Sequence, residues 1–324
     1  LQLAESFMFK GKRFRAYNNT LHARPPDETF HEFLVYMVAW TFGETWWKTQ
    51  CGMAQGERHV VIDWRYAFAS MTKRPYEARL QTEHGEQFVS TPSGPARALV
   101  ALGYDLWCAQ ASKRLPESLV DRLRRHRSFQ GARYEIAAAA IMARAGFELE
   151  FLDDAEVVER HCEFIATHKA SQQQVAVEAK SRVRPGALNE RGEFAYDGDR
   201  RGLLRLVRDA CKQGRPNVPL AVFLDVNVPP SPGVQPAHWQ WLRDVHQAAA
   251  DLERAARSHG DRGEPYSVLV STNFGFHFEP EDGKASPPEG ALLVPRSAAT
   301  PLQRELVEVI GQSVAAYGRV PREV

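Results

Sequence analysis

The sequence predicts an α/β fold, with strands alternating with helices over residues 116–324 and a mainly helical region before them. Three features lead there. A long helical segment at 116–146 turns alanine-rich at Ala137 to Ala140 and stops at Gly146, where a C-cap belongs. Stretches at 147–152 and 175–180 alternate apolar with charged residues, the mark of half-buried strands. Apolar runs at 219–228 and 266–271 are then spaced by helical patterns at 200–213 and 238–257, with a last helix at 301–317. With 324 residues, 44% of them hydrophobic, the chain can fill one large core or two smaller ones. A boundary near 115 divides it into an accessory region, 1–115, and a second domain, 116–324.

In the first region, residues 31–50 carry Phe33, Leu34, Met37, Val38, Trp40, Phe42, Trp46 and Trp47 on more than one face, predicting a largely buried helix. A second helix is predicted at 95–112, with Pro95 near its start and Leu99, Leu102, Leu106 and Trp107 as its core stripe. The tryptophans read as packing residues and His22, His31 and His59 as surface or core residues, since no spacing among them marks a metal site. The 116–146 helix is expected to break around 128–131. The proline-rich stretches 229–236 and 279–288 read as surface loops.

Composition narrows the function classes. No apolar run is long enough to span a bilayer and the first residues lack a signal-peptide layout, so a cytoplasmic protein without membrane association is expected. Cys51, Cys108, Cys162 and Cys211 lie too far apart for a zinc knuckle or a disulfide framework and read as small buried hydrophobes. A formal net charge of +1 means that any nucleic-acid binding must rest on local patches. No phosphate loop of the Gly-x-x-x-x-Gly-Lys type and no Gly-x-Ser-x-Gly elbow is present, against a nucleotide motor or an α/β-hydrolase.

The most informative stretch is 162–180, which reads as a β-hairpin around a polar loop at 168–173. In a strand successive side chains point to opposite faces. Val175, Val177 and Ala179 therefore share one face, and Ala176, Glu178 and Lys180 the other. On the preceding strand, Glu163 and Ile165 oppose Cys162, Phe164 and Ala166. Two carboxylates and a lysine on one sheet face suit a metal site that cuts phosphodiesters. Alone, Glu-x-Lys on a strand is more often a solvated charge pair contributing about 0 to 1 kcal/mol. Downstream, Arg201, Arg205, Arg208 and Lys212 fall on one side of the 200–213 helix, opposite Leu203, Leu204, Val207 and Cys211. Such a stripe can hold phosphates, although a solvated face is its commoner meaning. Arg182 and Arg184 stand closer to the Glu-x-Lys pair, and Arg122, Arg124, Arg125, Arg127 and Arg133 form a further basic cluster. Gln213 at a helix end and Asp225 within Phe223-Leu224-Asp225-Val226-Asn227 are weaker candidates, and Asp225 reads as structural.

The order helix, strand, strand, strand, helix, strand over about 116–228, with an acid on the second strand and Glu178-Ala179-Lys180 on the third, resembles the PD-(D/E)XK nuclease superfamily. The resemblance implies a restriction-endonuclease-like mixed sheet flanked by helices over 116–324. The stretch Phe129-Gln130-Gly131-Ala132-Arg133-Tyr134-Glu135 is similar to the first helix of such nucleases, which often carries a glutamate at the place of Glu135. One departure is that Glu163 stands where an aspartate after proline is usual, and so reaches one methylene further. The implied function is a Mg²⁺-dependent nuclease, with Mn²⁺ as a substitute, acting on nucleic acid and on DNA in preference to RNA. Glu163, Glu178, the Ala179 carbonyl and Glu135 would hold one or two ions, and Glu163, Glu178, Lys180 and Glu135 would carry the chemistry. Arg182, Arg184, Arg201, Arg205, Arg208 and Lys212 would contact the nucleic acid. A nuclease-like fold that is catalytically silent and binds nucleic acid or protein is the alternative, and an oligomer or protein partner is compatible with either.

Overall fold

The computed structural model describes residues 6–17, 20–73, 76–82, 85–110, 115–152, 161–188, 190–196, 198–258, 263–279 and 286–322. Its centre is a six-stranded mixed sheet. Strands β6 (Phe147–Phe151), β7 (Phe164–His168) and β8 (Gln174–Ser181) form an antiparallel meander. Next come β9 (Leu220–Asp225) and β10 (Val268–Asn273), each parallel to the strand before it, and β11 (Glu289–Leu293), antiparallel at the edge. The spatial order β11-β10-β9-β8-β7-β6 follows the chain order.

Helices cover both faces. On one side α7 (Arg200–Cys211) and α8 (Gln240–Ser258) pack on Ala176, Leu220, Val222, Leu224 and Leu269 through Leu203, Val207, Trp241 and Val245. On the other, α6 (His126–Arg144) lies along the sheet with Ala137 to Ala140 fully buried. Small side chains let a helix approach closely, and α6 uses this twice: it is covered in turn by α4 (Gly94–Gln110) and flanked by α9 (Arg304–Ala315). One apolar core then runs from Tyr17 through α4 and α6 to Tyr317, so the segments before and after residue 115 share their packing.

The helical elements of the first half are α1 (Phe30–Phe42), α2 (Glu44–Cys51), α3 (Val60–Met71), α4 and α5 (Glu117–Arg124). Thr29 and Glu32 close a capping box at the start of α1. Where one helix is predicted over 31–50, Gly43 at φ +84° divides two, since its conformation ends the α-helical run. The break expected at 128–131 falls instead at Arg125, whose extended backbone separates α5 from α6. The end of the 95–112 helix and most of the 279–288 loop lie outside the described residues.

The first half also holds strands that the sequence pattern does not announce: β1 (Phe7–Phe9), β2 (Lys12–Tyr17) and β3 (Thr20–Arg24) in one sheet, and the hairpin β4 (Ala78–Thr82) and β5 (Gly85–Val89). In β2 the inward residues include Arg13 and Arg15, an inversion of the usual polar-out alternation. Arg13 donates to the Pro26 carbonyl and Arg15 lies over the rings of Phe30 and Phe33, contacts that offset part of the cost of burying them. Strand β11 is likewise hidden by Pro287 and Pro288 just before it and by Gly290 within it. It is anchored by buried Glu289, which accepts from the Trp241 indole, the Asn273 amide and the Ser231 backbone. Cys108 and Cys162 are buried, with thiols pushed up by burial to about 12 and about 11, in keeping with packing roles, whereas Cys51 is exposed and Cys211 half-buried, so the expectation of four buried cysteines does not hold.

Helices α1 and α4 meet backbone to backbone at Gly103, where a β-carbon would stand 2.7 Å from the Leu34 carbonyl oxygen. Gly103→Ala must part them and should cost about 1–3 kcal/mol. Urea unfolding measures this; a variant as stable as wild type would mean that the close approach is not needed.

Candidate active site

Residues 178–181 of β8 pair only with β9, because the ladder to β7 ends at Phe164↔Val177. The sheet therefore has a notch between β7 and β8. At its apex the Glu163 N–H donates to the Val177 carbonyl at 3.0 Å, although Val177 already has Phe164 as its register partner. Two residues oppose one, the arrangement of a β-bulge, which re-aims side chains. Phe164 packs in the α6-side core, Cys162 and Ile165 in the α7-side core, and Glu163 lines a cleft with Phe164 and Glu135. The strict alternation expected for this strand, with Glu163 beside Ile165 and Cys162 beside Phe164, is overturned by that extra residue.

The four residues proposed for the chemistry meet in the notch. Glu178 is 1% exposed and one of its oxygens pairs with the Lys180 ammonium, two residues along the same face. Its other oxygen, Oε2, is buried without a hydrogen-bond partner among the described residues. Glu135, buried on α6, is gripped through both oxygens by the Arg122 guanidinium of α5, one contact being 2.6 Å. Burial first, and then the neighbouring Glu163 carboxylate, push both Glu135 and Glu178 well above the usual carboxylate range against the pull of Arg122 and Lys180. Burial would lower Lys180, but Glu178, Glu163 and Glu135 outweigh it and hold its pKa above the ordinary lysine value. Glu163, half-buried, is thus the group that links the other three.

The backbone adds an oxygen. Ala176 and Arg182 direct their N–H groups to β9, while Val177 directs its carbonyl to β7. By the alternation of the strand, the Ala179 carbonyl points the same way as that of Val177, into the notch. Glu163, Glu178 and Ala179 thereby present the hard oxygen donors that Mg²⁺ takes, with the orphaned Glu178 Oε2 as a ready ligand, and the donor set fits such an ion. Among the described residues, no three His, Cys, Asp or Glu side chains converge on one point at ligand distance. The fit is to an ion held by one or two carboxylates that keeps several waters.

The arginines divide into two kinds. Arg184 is a buried strut: its backbone N–H donates to Gln130, and its guanidinium donates to the Val226 carbonyl and pairs with Asp199. Arg182, 30% exposed at its side chain, pairs with the same Asp199 at 2.5 Å. Arg201, Arg205 and Arg208 on α7 and Lys212 at its C-cap stand exposed, opposite buried Leu203 and Val207, as the spacing predicts. Asp209, beside this stripe, pairs with Lys212, which holds its carboxyl low. Asp225 is fully buried, pairs with Arg133 at 3.1 Å and accepts from Ser181, a structural role. Gln213 is half-buried just beyond α7, with its Oε1 lacking a partner among the described residues.

Sequence spacing missed two contributors. Arg122 appears in the sequence only as one of several arginines, and its reach to Glu135 depends on the kink at Arg125. Gln130 joins the Arg184 backbone, the Ala187 carbonyl and the Asn227 amide, bracing the turn after β8. No sequence signal distinguishes such a brace from a surface glutamine. No protein-family model matches the chain, and neither a curated protein nor a solved structure matches it.

Because Glu135 and Glu178 are raised in the folded chain, their contribution to stability is full at low pH and is lost as pH rises through their folded values. The lowered His22, His31, His59 and His277 act in the opposite sense, so the carboxyl effect is read as a difference between wild type and variant. In metal-free buffer, the melting temperature of Glu178→Gln relative to wild type should rise as pH climbs from about 4.5 into the neutral range. Thermal melts of both proteins across pH check this; a difference that does not change with pH would contradict the buried carboxyl cluster.

Proposed function

We propose that the chain is a divalent-metal-dependent nuclease with a restriction-endonuclease-like core, hydrolysing phosphodiester bonds of nucleic acid and of DNA in preference to RNA. The observation that carries the reading is the convergence of Glu163, Glu178, Lys180 and Glu135 at a notch into which the Ala179 carbonyl also points. The order α6-β6-β7-β8-α7-β9, an antiparallel meander followed by a parallel crossover strand, is the frame in which the superfamily resemblance places such a site.

Glu163, Glu178 and the Ala179 carbonyl would hold Mg²⁺ or Mn²⁺. The ion supplies Lewis-acid stabilisation of phosphate charge and lowers the pKa of a bound water. Lys180 is an ammonium at neutral pH, its pKa held above the ordinary lysine value by Glu178, Glu163 and Glu135 against burial. It therefore serves as a hydrogen-bond donor that orients water and offsets negative charge, not as a base. Glu178, paired with Lys180 through one oxygen and unpartnered on the other, is the acid best placed to change partners. The exposed stripe on α7 would track the nucleic-acid backbone, with Arg182 between stripe and notch.

Purified protein with Mg²⁺ or Mn²⁺ should cut DNA, and Glu178→Gln or Lys180→Met should each reduce the rate by about 100-fold or more without loss of fold. Cleavage that persists in both variants would remove the site assignment, and DNA binding without cleavage under any divalent ion would favour a silent binding module. Replacing Arg201, Arg205 and Arg208 by Gln should weaken binding uniformly across sequences. It should also flatten the dependence of log K on log salt by about 0.7 to 0.9 for each phosphate no longer neutralised. An unaltered salt slope would assign the stripe to solvent.

A further inference from the structure

Two ion pairs meet at the notch among the described residues: Lys180 pairs with Glu178 from the same strand, and Arg122 pairs with Glu135 from a different helix.

Glu135 is not open to a second ion, because Arg122 engages both its oxygens in a fork-to-fork pair, the strongest form of charge-assisted hydrogen bonding. The cation is the outer member: the Arg122 side chain is 33% exposed and that of Glu135 is 7%. Both line the cleft that also contains Glu163, Ser118 and Phe151, and its free volume is ≈ 10 Å³, about the room of one water. A cation reaching Glu135 from solvent must displace Arg122.

Resting on the metal-site reading above, we infer that Arg122 stands in place of a second metal ion: the centre takes one divalent ion, between Glu163 and Glu178, while Arg122 neutralises Glu135 and presents a fixed positive charge at the mouth of the cleft. Glu135 is then a positioning residue that holds Arg122, not a metal ligand. Arginine suits the part because its planar fork stays charged and matches both a carboxylate and a phosphate.

The test counts ions on the full chain without substrate, by titrating Mn²⁺ and following the free ion by electron paramagnetic resonance. Wild type should bind one Mn²⁺, and Glu135→Gln should still bind one with little change in affinity. Glu178→Gln should weaken that ion by about 10- to 100-fold. Arg122→Ala, which frees Glu135, should bind two, and Arg122→Lys, which keeps the charge, should remain at one. Two ions in wild type would overturn the inference. So would an affinity loss in Glu135→Gln as large as that in Glu178→Gln, or a count of one in folded Arg122→Ala. If Arg122→Ala does not fold, the wild-type and Glu135→Gln counts still decide. A wild type that binds no Mn²⁺, or a Glu178→Gln variant that binds as well as wild type, strikes the metal-site reading itself.

Discussion

Three carboxylates set against one another in a poorly hydrated notch cannot all stay charged unless cations come to them, and much of the surrounding architecture serves that requirement. Burial and the Glu163 carboxylate raise the affinity of Glu135 and Glu178 for protons. Lys180 comes from the same strand as Glu178, so its arrival follows from the period of two. Arg122 comes from a different helix and depends on the extended backbone of Arg125, which turns α5 back along the start of α6. The kink is therefore part of the electrostatics of the site as much as of the helix packing.

The notch exists because β8 is longer than its ladder to β7. A uniform antiparallel pair would have covered residues 178–181 with backbone hydrogen bonds and placed Glu163 on the α7 side of the sheet. The bulge at Glu163 changes both, ending the ladder and turning the carboxylate toward α6. Helix α6 can meet it there because its alanine face allows close approach to β6 and β8, which brings Glu135 to the opening. The glutamate at 163, one methylene longer than an aspartate, is compatible with a backbone set back at the apex of a fork.

Around the site, buried polar groups are braced in pairs and networks. Arg133 with Asp225, Gln130 with the backbone at Arg184, and Arg184 with Val226 and Asp199 secure the turn that follows Lys180. These interactions separate arginines that support the site from those that stand exposed on α7. Spacing alone treats Arg182, Arg184 and Arg205 as one basic patch. Their partners make Arg184 a strut and leave Arg205 on an open helix face.

Apart from β11, the helices and strands from 116 onward were legible in the sequence because their apolar periods are regular, and so was the facing of Glu178, Lys180 and the α7 stripe. Strands β2 and β11 were not, since their inward residues include Arg13, Arg15 and Glu289, whose burial is acceptable only with partners distant in the chain. By itself the sequence determined which side chains share a face, as local geometry dictates. Only the tertiary structure decided that Glu163 leaves the face its parity assigns, that Arg122 and not a neighbouring arginine closes on Glu135, and that Arg184 is buried. Each of these turns on a bulge, a kink or a long-range hydrogen bond, and none of the three is encoded in spacing along the chain.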